Sequence, residues 1–334
     1  MSIQQYQLTQ KGGPFALTKV PLPKPGPGQV SIRPRAVALN GIDWKNLAFG
    51  AIIRSYPAVL GIDASGVVEA VGEGVTAFKA GDEVMSYAHG IIGQGAFAEV
   101  YTVAQHEVAK KPSGLSFEQA VSLPVIFLTA AATIVVGLNV ELPGLSKLSN
   151  PNQPKSILVL GGSSGVGASA IQLLRIALPS VTIITTSSAP HHAHLKSLGA
   201  NVVLERSAQS DAAALKAATP GGAGVDAVID TVGAGPDSPA VFEAIKADGP
   251  KLYALVVTRP DAKLPAGLQS TLVGAENILK QEPTALQYLV KIVEEGKFKL
   301  PIKIEVVGKG FEAIEKGLGR FPANVSGTKL VVTL

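Results

Sequence analysis

Cysteine is absent from this 334-residue chain. Its absence excludes disulfide bonds and every metal site that uses thiolate ligands. Charged residues make up only 16% of the chain, and the formal net charge is +4. No dense run of lysine and arginine with interleaved aromatic residues occurs, so the sequence gives no support for a nucleic-acid partner.

Histidine and long apolar stretches are scarce as well. None of the five histidines stands in a His-Glu-x-x-His arrangement, so we expect no metal. The longest apolar run, residues 130–138, contains Thr133 and Gly137 and is too short to cross a bilayer. The N-terminus is polar and has no leader of basic and then apolar residues. We therefore expect a cytoplasmic protein without a membrane partner.

The first 120 residues have the pattern of an all-β domain. Short Val-rich segments are separated by frequent proline and glycine, and the predicted strands include residues 30–39, 67–71, 83–85 and 97–103. Many short strands with such turn signals indicate a small barrel. Helical sequence follows, in which Ser116 is placed to cap a first helix and residues 127–138 form a second.

Beyond a polar loop at residues 143–154, strands and helices alternate. Four predicted strands each precede a helix, and two further strands follow them: residues 157–160, 181–186, 201–204, 225–230, 251–257 and 270–273. This alternation predicts a doubly wound parallel sheet, and a last helix and two strands then return to β-like sequence. We predict an α/β protein in which a Rossmann-type sheet domain, residues 123–274, is inserted into a β-rich domain made of residues 1–122 and 275–334. A substrate is expected to meet a cofactor in the cleft between the two domains.

A glycine-rich turn joins the first predicted strand of this sheet to its helix. Gly162 and Gly167 occupy the first and third glycine positions of a dinucleotide fingerprint, and Ser164 occupies the second. Gly165 has no side chain that would block the turn, and the Ser164 hydroxyl is expected to form a hydrogen bond with the pyrophosphate. Because a helix N-terminus presents free N–H groups, we predict that the turn binds the pyrophosphate of a dinucleotide through Gly162, Ser163, Ser164, Gly165, Val166 and Gly167.

Several motifs together resemble the medium-chain dehydrogenase/reductase superfamily. They are Gly61-Ile-Asp-Ala-Ser-Gly66, Val71-Gly-Glu-Gly-Val75, Gly81-Asp-Glu-Val84 and Gly95-Ala-Phe-Ala-Glu99. The resemblance covers nearly the whole chain and implies a GroES-like barrel around the Rossmann domain. Zinc-dependent members place metal ligands where Asn40 and Ile62 stand here and near Val125. None of these three side chains can hold zinc, so the chain is similar to the zinc-independent branch.

Within that branch the chain looks most like fungal trans-acting enoyl reductases and their quinone-reductase-like relatives. The motifs are residues 38–45, residues 123–129 and the Gly-Gly-Ser-Ser-Gly-Val-Gly turn. The resemblance implies a small-molecule or carrier-bound acyl substrate and a polyketide synthase as a possible partner. It leaves both a monomer and a homodimer open.

The second strand of the sheet predicts the choice of nicotinamide cofactor. An NAD site needs an acid near the strand tip, but residues 185–188 are two threonines followed by Ser187 and Ser188. His191 and Arg206 follow, and by resemblance Arg206 falls where NADPH-dependent relatives cover the 2′-phosphate. A cation and hydroxyls favour that phosphate, so we predict NADPH over NADH. Taken alone, the two serines are equally consistent with an ordinary loop, and His191 with a surface residue.

Reduction of an activated double bond requires a donor for the developing oxyanion. By resemblance, Lys45 and Thr129 line the active site beside the nicotinamide, and Asn40 and Asp43 organise the same corner. The alternatives are a solvated Lys45 and a Thr129 hydroxyl bonded within its own helix. The remaining predicted cofactor residues are Thr231, Gly233, Val256 and Lys329. Two other functions stay open: a quinone or small-enone reductase, and a protein that binds NADPH without catalysis.

Overall fold

The computed structural model describes residues 1–88, 94–149, 153–257, 263–323 and 325–334. The predicted loop at 143–154 lies partly outside the described residues, at positions 150–152. The chain divides into two compact units. The first comprises residues 1–125, 289–295 and 303–334, and the second comprises 126–288 and 296–302. The second unit thus keeps residues 275–288, which the sequence analysis assigned to the returning β-rich domain.

Sixteen strands and ten α-helices are described. The strands are β1 (Ser2–Leu8), β2 (Phe15–Pro21), β3 (Gln29–Ala38), β4 (Ala58–Val59), β5 (Asp63–Val71), β6 (Glu83–Tyr87), β7 (Tyr101–Ala104), β8 (Val108–Lys110), β9 (Ser156–Leu160), β10 (Thr182–Thr186), β11 (Val202–Leu204), β12 (Ala227–Asp230), β13 (Leu252–Val256), β14 (Gln269–Val273), β15 (Lys303–Lys309) and β16 (Thr328–Thr333). The helices are α1 (Gly41–Phe49), α2 (Phe117–Ala120), α3 (Pro124–Ala132), α4 (Gly165–Ala177), α5 (His192–Ser197), α6 (Ala212–Ala217), α7 (Pro239–Glu243), α8 (Ala275–Gln281), α9 (Ala285–Glu294) and α10 (Glu312–Leu318).

The first unit contains two sheets that share an apolar core. Three strands pair in the order β2-β1-β4, and the larger sheet has the order β15-β16-β3-β5-β6-β8, with β7 pairing to β3. Buried side chains from both sheets, such as Leu8, Ile32 and Val84, belong to the same core cluster. The returning strand β16 pairs antiparallel with β3, so the last residues of the chain belong to the larger sheet.

The expectation that residues 1–120 are all β was wrong at helix α1, which lies between β3 and β4. Helix α2 begins at Phe117 after its N-cap Ser116, as the sequence predicted. Helix α1 starts because Asn40 adopts an extended conformation and its backbone N–H donates to Asp43 Oδ2 at 3.0 Å. Its nine residues show little separation of apolar and polar faces, and periodicity therefore did not reveal it. The helices α8 and α10 were missed as well.

The second unit contains the predicted parallel sheet, which the structure confirms. Six strands pair in the order β11-β10-β9-β12-β13-β14, and every pairing is parallel. The strand order reverses between β9 and β12, which both lie at the centre. Every residue of β9 is buried, as its unbroken apolar sequence requires.

The helical stretch Phe117–Gly137 corrects the prediction about apolar runs. By length and composition it is the one described helix that could cross a membrane, and 89% of its apolar window is buried inside the fold. The sequence analysis counted only residues 130–138 and therefore underestimated its length. Helix α3 occupies its centre, and a π-helical turn at Thr133–Gly137 ends it.

Candidate functional site

The glycine-rich turn between β9 and α4 is as close-packed as the fingerprint requires. A Cβ on Gly167 would lie 2.3 Å from the Gly161 carbonyl oxygen, and one on Gly162 would lie 2.1 Å from Thr185 Oγ1. Gly161 has φ near +76°, a conformation that side-chain-bearing residues rarely adopt. The chain therefore needs glycine at three positions here, and Gly161 is the one that the fingerprint alone did not identify.

Ser164 is the N-cap of helix α4. Its Oγ accepts a hydrogen bond from the Gly167 N–H at 2.9 Å and lies 2.9 Å from Thr231 Oγ1. Because Thr231 donates its own proton to the Leu160 carbonyl at 2.7 Å, the Ser164 hydroxyl proton points to Thr231. The hydroxyl that was expected to bond pyrophosphate thus caps the helix, and the backbone N–H groups of the first turn are left to meet an anion.

Asp230 organises the loop after β12, a role that the sequence analysis did not identify. Its buried carboxylate accepts from the backbone N–H groups of Val232, Gly233, Ala234 and Gly235 at 2.8–3.2 Å. The Tyr253 hydroxyl adds a fifth donor at 2.8 Å. The predicted residues Thr231 and Gly233 are therefore held on a fixed loop at the carboxyl end of a central strand. Ligands bind at this end of such sheets, where the strand order reverses.

The tip of β10 carries a buried hydroxyl without a partner. Ser187 is 1% exposed, and its Oγ has no hydrogen-bond partner among the described residues. A buried unsatisfied hydroxyl is costly, and a ligand that bonds it would remove the cost. Ser187 therefore fits a role in binding better than the alternative of an ordinary loop serine.

Arg206 lies close to this strand tip. It is exposed and begins a 3-10 turn two residues after Leu204, which pairs with Thr186 of β10. In the same turn Gln209 Nε2 donates to Thr186 Oγ1 at 2.6 Å, which ties the turn to the tip. Gln209 was missed because a lone glutamine carries no sequence signal.

An acid and the histidines also lie near the tip. His192 Nε2 is 3.0 Å from the Ser187 carbonyl and 3.6 Å from Glu205 Oε1. The predicted contact residue His191 is partly exposed and ends a short 3-10 turn that Ser188 precedes. Glu205 follows the neighbouring strand β11 rather than β10, and the sequence analysis did not identify it. Its carboxylate would oppose an added phosphate.

Three of the predicted residues in the first unit meet in a buried polar cluster. Lys329 Nζ lies 2.6 Å from Asn40 Oδ1 and 3.0 Å from Asp63 Oδ2, and the Asn40 side-chain amide donates to the same Asp63 oxygen at 3.0 Å. Asp43 is fully buried beside them and accepts from the backbone N–H groups of Asn40 and Gly61. Two of the three donors of the Lys329 ammonium are thus used inside the protein. Asp63 was missed as a site residue, although it stands within the Gly61–Gly66 motif.

Burial governs the acid–base properties in this cluster. Loss of solvent raises the pKa of Asp43 to about 7, against two backbone hydrogen bonds that lower it. In helix α1, partial burial lowers the pKa of Lys45 below its ordinary value. A lysine with a lowered pKa transfers a proton more readily than a solvated one.

Thr129 lies one helical turn into α3 and is 5% exposed. Thr133, one turn further on, donates its hydroxyl to the Ala130 carbonyl at 2.7 Å. Thr129 makes no such side-chain bond to any residue that the structure describes. The alternative prediction, a hydroxyl bonded within its own helix, therefore holds for Thr133 and not for Thr129.

A nicotinamide dinucleotide fits the second unit. The close-packed glycine turn, the capped N-terminus of α4, the fixed loop after β12 and the unsatisfied Ser187 hydroxyl all lie at the carboxyl ends of the central strands. Val256, the last predicted cofactor residue of this unit, ends β13 at the same edge. Ser163 is buried within the turn itself.

Two family models match the chain, one in each predicted domain. Residues 26–113 match the alcohol dehydrogenase GroES-like domain, and residues 165–263 match the zinc-binding dehydrogenase domain. Among full-length relatives, a trans-enoyl reductase of Aspergillus flavipes is 33% identical over 98% of this chain and 97% of its own. A chloroplast envelope quinone oxidoreductase homolog of Arabidopsis thaliana is 32% identical over 85% of this chain and 84% of its own.

A solved structure agrees with these relatives. An alcohol dehydrogenase superfamily protein from Novosphingobium aromaticivorans superimposes with a TM-score of 0.79 at 28% identity, over 99% of both chains. The predicted GroES-like and Rossmann architecture is therefore confirmed. The chain belongs to the medium-chain dehydrogenase/reductase superfamily and is an oxidoreductase with a nicotinamide-cofactor domain.

Proposed function

We propose that this protein transfers a hydride from NADPH to the β-carbon of an enone or enoyl thioester without zinc. The observation that carries the proposal is the cofactor site of the second unit, with its glycine turn and unsatisfied Ser187 hydroxyl. Relatives named trans-enoyl reductase and quinone oxidoreductase support the reaction class.

The residues at the tip of β10 support NADPH over NADH. Ser187 and Ser188 would hold the 2′-phosphate by hydroxyl groups, and Arg206 would supply its counter-charge. His191 would lie beside them, and the exposed carboxylate of Glu205 would be paired with His192. The first turn of α4 would hold the pyrophosphate, and Thr231, Gly233 and Val256 would line the nicotinamide end of the site.

The side chains that act on the substrate would be Lys45 and Thr129. When bound, the reduced nicotinamide supplies the hydride, and the chain's own residues must then stabilise negative charge on the substrate oxygen. The Thr129 hydroxyl would donate to that oxygen, since it is buried and makes no bond to the other described residues. Lys45, with its lowered pKa, would supply a second donor or the proton. Asn40, Asp43 and Lys329 would form the adjoining wall of the site.

The reaction would need no metal, because the side chains that this chain has at the zinc-ligand positions of related enzymes cannot bind zinc. Asn40 and Ile62 replace two of those ligands, and the chain has no cysteine. Oxyanion stabilisation would therefore fall to hydrogen-bond donors.

The acyl substrate would be carried as a thioester, and a polyketide synthase would be its source. The relative named trans-enoyl reductase supports this choice over a free small molecule. The relative named quinone oxidoreductase supports a second candidate, reduction of an electron-poor quinone ring by the same cofactor.

The test is NADPH oxidation against a panel of enoyl thioesters, enones and quinones, with two pairs of variants. Thr129→Val should lower turnover by about 10²–10³-fold, the usual effect of losing one oxyanion donor. Thr133→Val, the same change one turn along the helix, should leave turnover unchanged because its hydroxyl bonds the backbone. Lys45→Met should lower turnover, whereas Lys110→Met, at an exposed lysine, should not. Equal turnover in all four variants would show that neither Lys45 nor Thr129 takes part in the reaction.

A further inference from the structure

The carboxylate of Asp63 joins three separate parts of the chain. Asp63 is fully buried at the start of β5. Its Oδ2 accepts from Asn40 Nδ2 and from Lys329 Nζ, both at 3.0 Å, and its Oδ1 accepts from the Val125 N–H at 2.9 Å. Each of its oxygens is therefore committed to a different element.

Two of those elements carry the proposed donors. Asn40 is the N-cap of α1, the helix of Lys45, and Val125 lies in the first turn of α3, the helix of Thr129. A hydrogen bond to the first turn satisfies one of the free N–H groups there and ties that end of the helix to its partner. The third partner, Lys329, brings a buried cation that compensates the carboxylate charge.

We infer that Asp63 is a positioning residue for reduction: it anchors the helices of Lys45 and Thr129 at their N-termini. The inference rests on the proposed roles of those two residues. An error of about 1 Å in such a donor lowers turnover by about 10²-fold, so an anchor shared by two donors affects the rate without touching the substrate.

Asp63→Asn tests the anchor, because an amide has one acceptor oxygen where the carboxylate uses two. One of the two helices then loses its partner.

The matched control is Asp226→Asn, since Asp226 is also buried and accepts from a lysine, Lys246, at 2.8 Å and from the backbone N–H of Lys155 at 2.8 Å. Asp226 lies at the amino end of β12, opposite the edge that binds the cofactor. At saturating NADPH and substrate we expect kcat to fall about 10²-fold in Asp63→Asn and to stay within about twofold of the parent in Asp226→Asn. Equal kcat values in the two variants, both with lower melting temperatures, would overturn the inference.

A second variant and a second readout make the result independent of folding and of substrate. Asp63→Asn combined with Lys329→Met removes both charges of the buried Asp63–Lys329 pair but still lacks the second acceptor. Amide hydrogen exchange of the unliganded protein should become about tenfold faster or more in residues 40–49 and 124–132, with Asp226→Asn as the control. Unchanged exchange in both segments would overturn the inference. If the parent protein reduced no substrate while Asp63→Asn showed this faster exchange, the proposed function would be refuted. The role of Asp63 in holding the two helices would still be supported.

Discussion

At the scale of single residues, the proposed preference for NADPH is tested at Arg206. Loss of one charge-assisted phosphate contact costs about 1.5–3 kcal/mol. Arg206→Ala should therefore weaken NADPH binding by about tenfold or more and leave NADH nearly unchanged, as measured by fluorescence titration. Glu205→Gln, at the neighbouring exposed acid, should bind NADPH at least as tightly as the parent because it removes a repulsive charge. If Arg206→Ala weakened both cofactors equally, Arg206 would not contact the 2′-phosphate.

The buried acid Glu107 gives a second prediction at the scale of single residues. Burial raises the pKa of Glu107 from its ordinary 4.5 to about 7, and a 3.4 Å bond from the Ala104 N–H offsets this in part. The folded protein thus binds this proton more tightly than the unfolded chain. The resulting stabilisation is complete below about pH 4.5 and is lost as the pH rises through about 7.

The free energy of unfolding should therefore fall between about pH 5 and pH 8, by on the order of 1–3 kcal/mol through Glu107 alone. Glu107→Gln should flatten part of this slope, and Asp43, whose pKa is raised in the same direction, should account for the remainder. Urea unfolding of both proteins across this range measures the effect. A variant with the full slope of the parent would show that Glu107 does not titrate in this range.

At the scale of secondary-structure elements, the sequence was most informative where packing is local. The unit β9–turn–α4 was predicted from an apolar run, three glycines and a helical period, since each residue there is constrained by its immediate neighbours. Helix α1 was missed because nine residues with no distinct apolar face look like a loop. The only signal for it was Asn40 followed three residues later by Asp43, a polar pair that also occurs in turns.

The roles of Asp63 and Asp230 could not be read from the sequence for a different reason. The partners of Asp63, such as Lys329, lie far along the chain, and so does Tyr253 among the partners of Asp230. Such contacts depend on the tertiary pairing of β16 with β3 and of β12 with β13. The candidate residues were therefore foreseen more completely than the groups that hold them in place.

The close approach of α4 to β9 gives a prediction for the element. Gly167→Ala would place a methyl group 2.3 Å from the Gly161 carbonyl oxygen, so the helix must move away from the strand. We expect a stability loss of about 1–3 kcal/mol and a clear loss of NADPH affinity, since the helix N-terminus moves with it. Gly114→Ala is the control, because its methyl group would meet no atom within 4 Å. Parallel measurements of melting temperature and cofactor affinity would contradict the account if the two variants behaved alike.

At the scale of the whole molecule, we predict that activity does not depend on zinc. We expect NADPH-dependent activity to survive prolonged treatment with a strong chelator, and elemental analysis to find less than stoichiometric zinc. The physical reason is the chain's complete lack of cysteine, together with Asn40 and Ile62 at the ligand positions. Stoichiometric zinc whose removal abolishes turnover would contradict this.

The most direct test of the central proposal follows the hydride itself. NADPH deuterated at C4 of the nicotinamide is incubated with the protein and an enoyl thioester, and the product is analysed by mass spectrometry and NMR. Hydride transfer to an activated double bond predicts one deuterium at the β-carbon of a saturated thioester, and loss of that product in Thr129→Val but not in Thr133→Val. An unreacted thioester, together with rapid NADPH oxidation by quinones, would contradict the account.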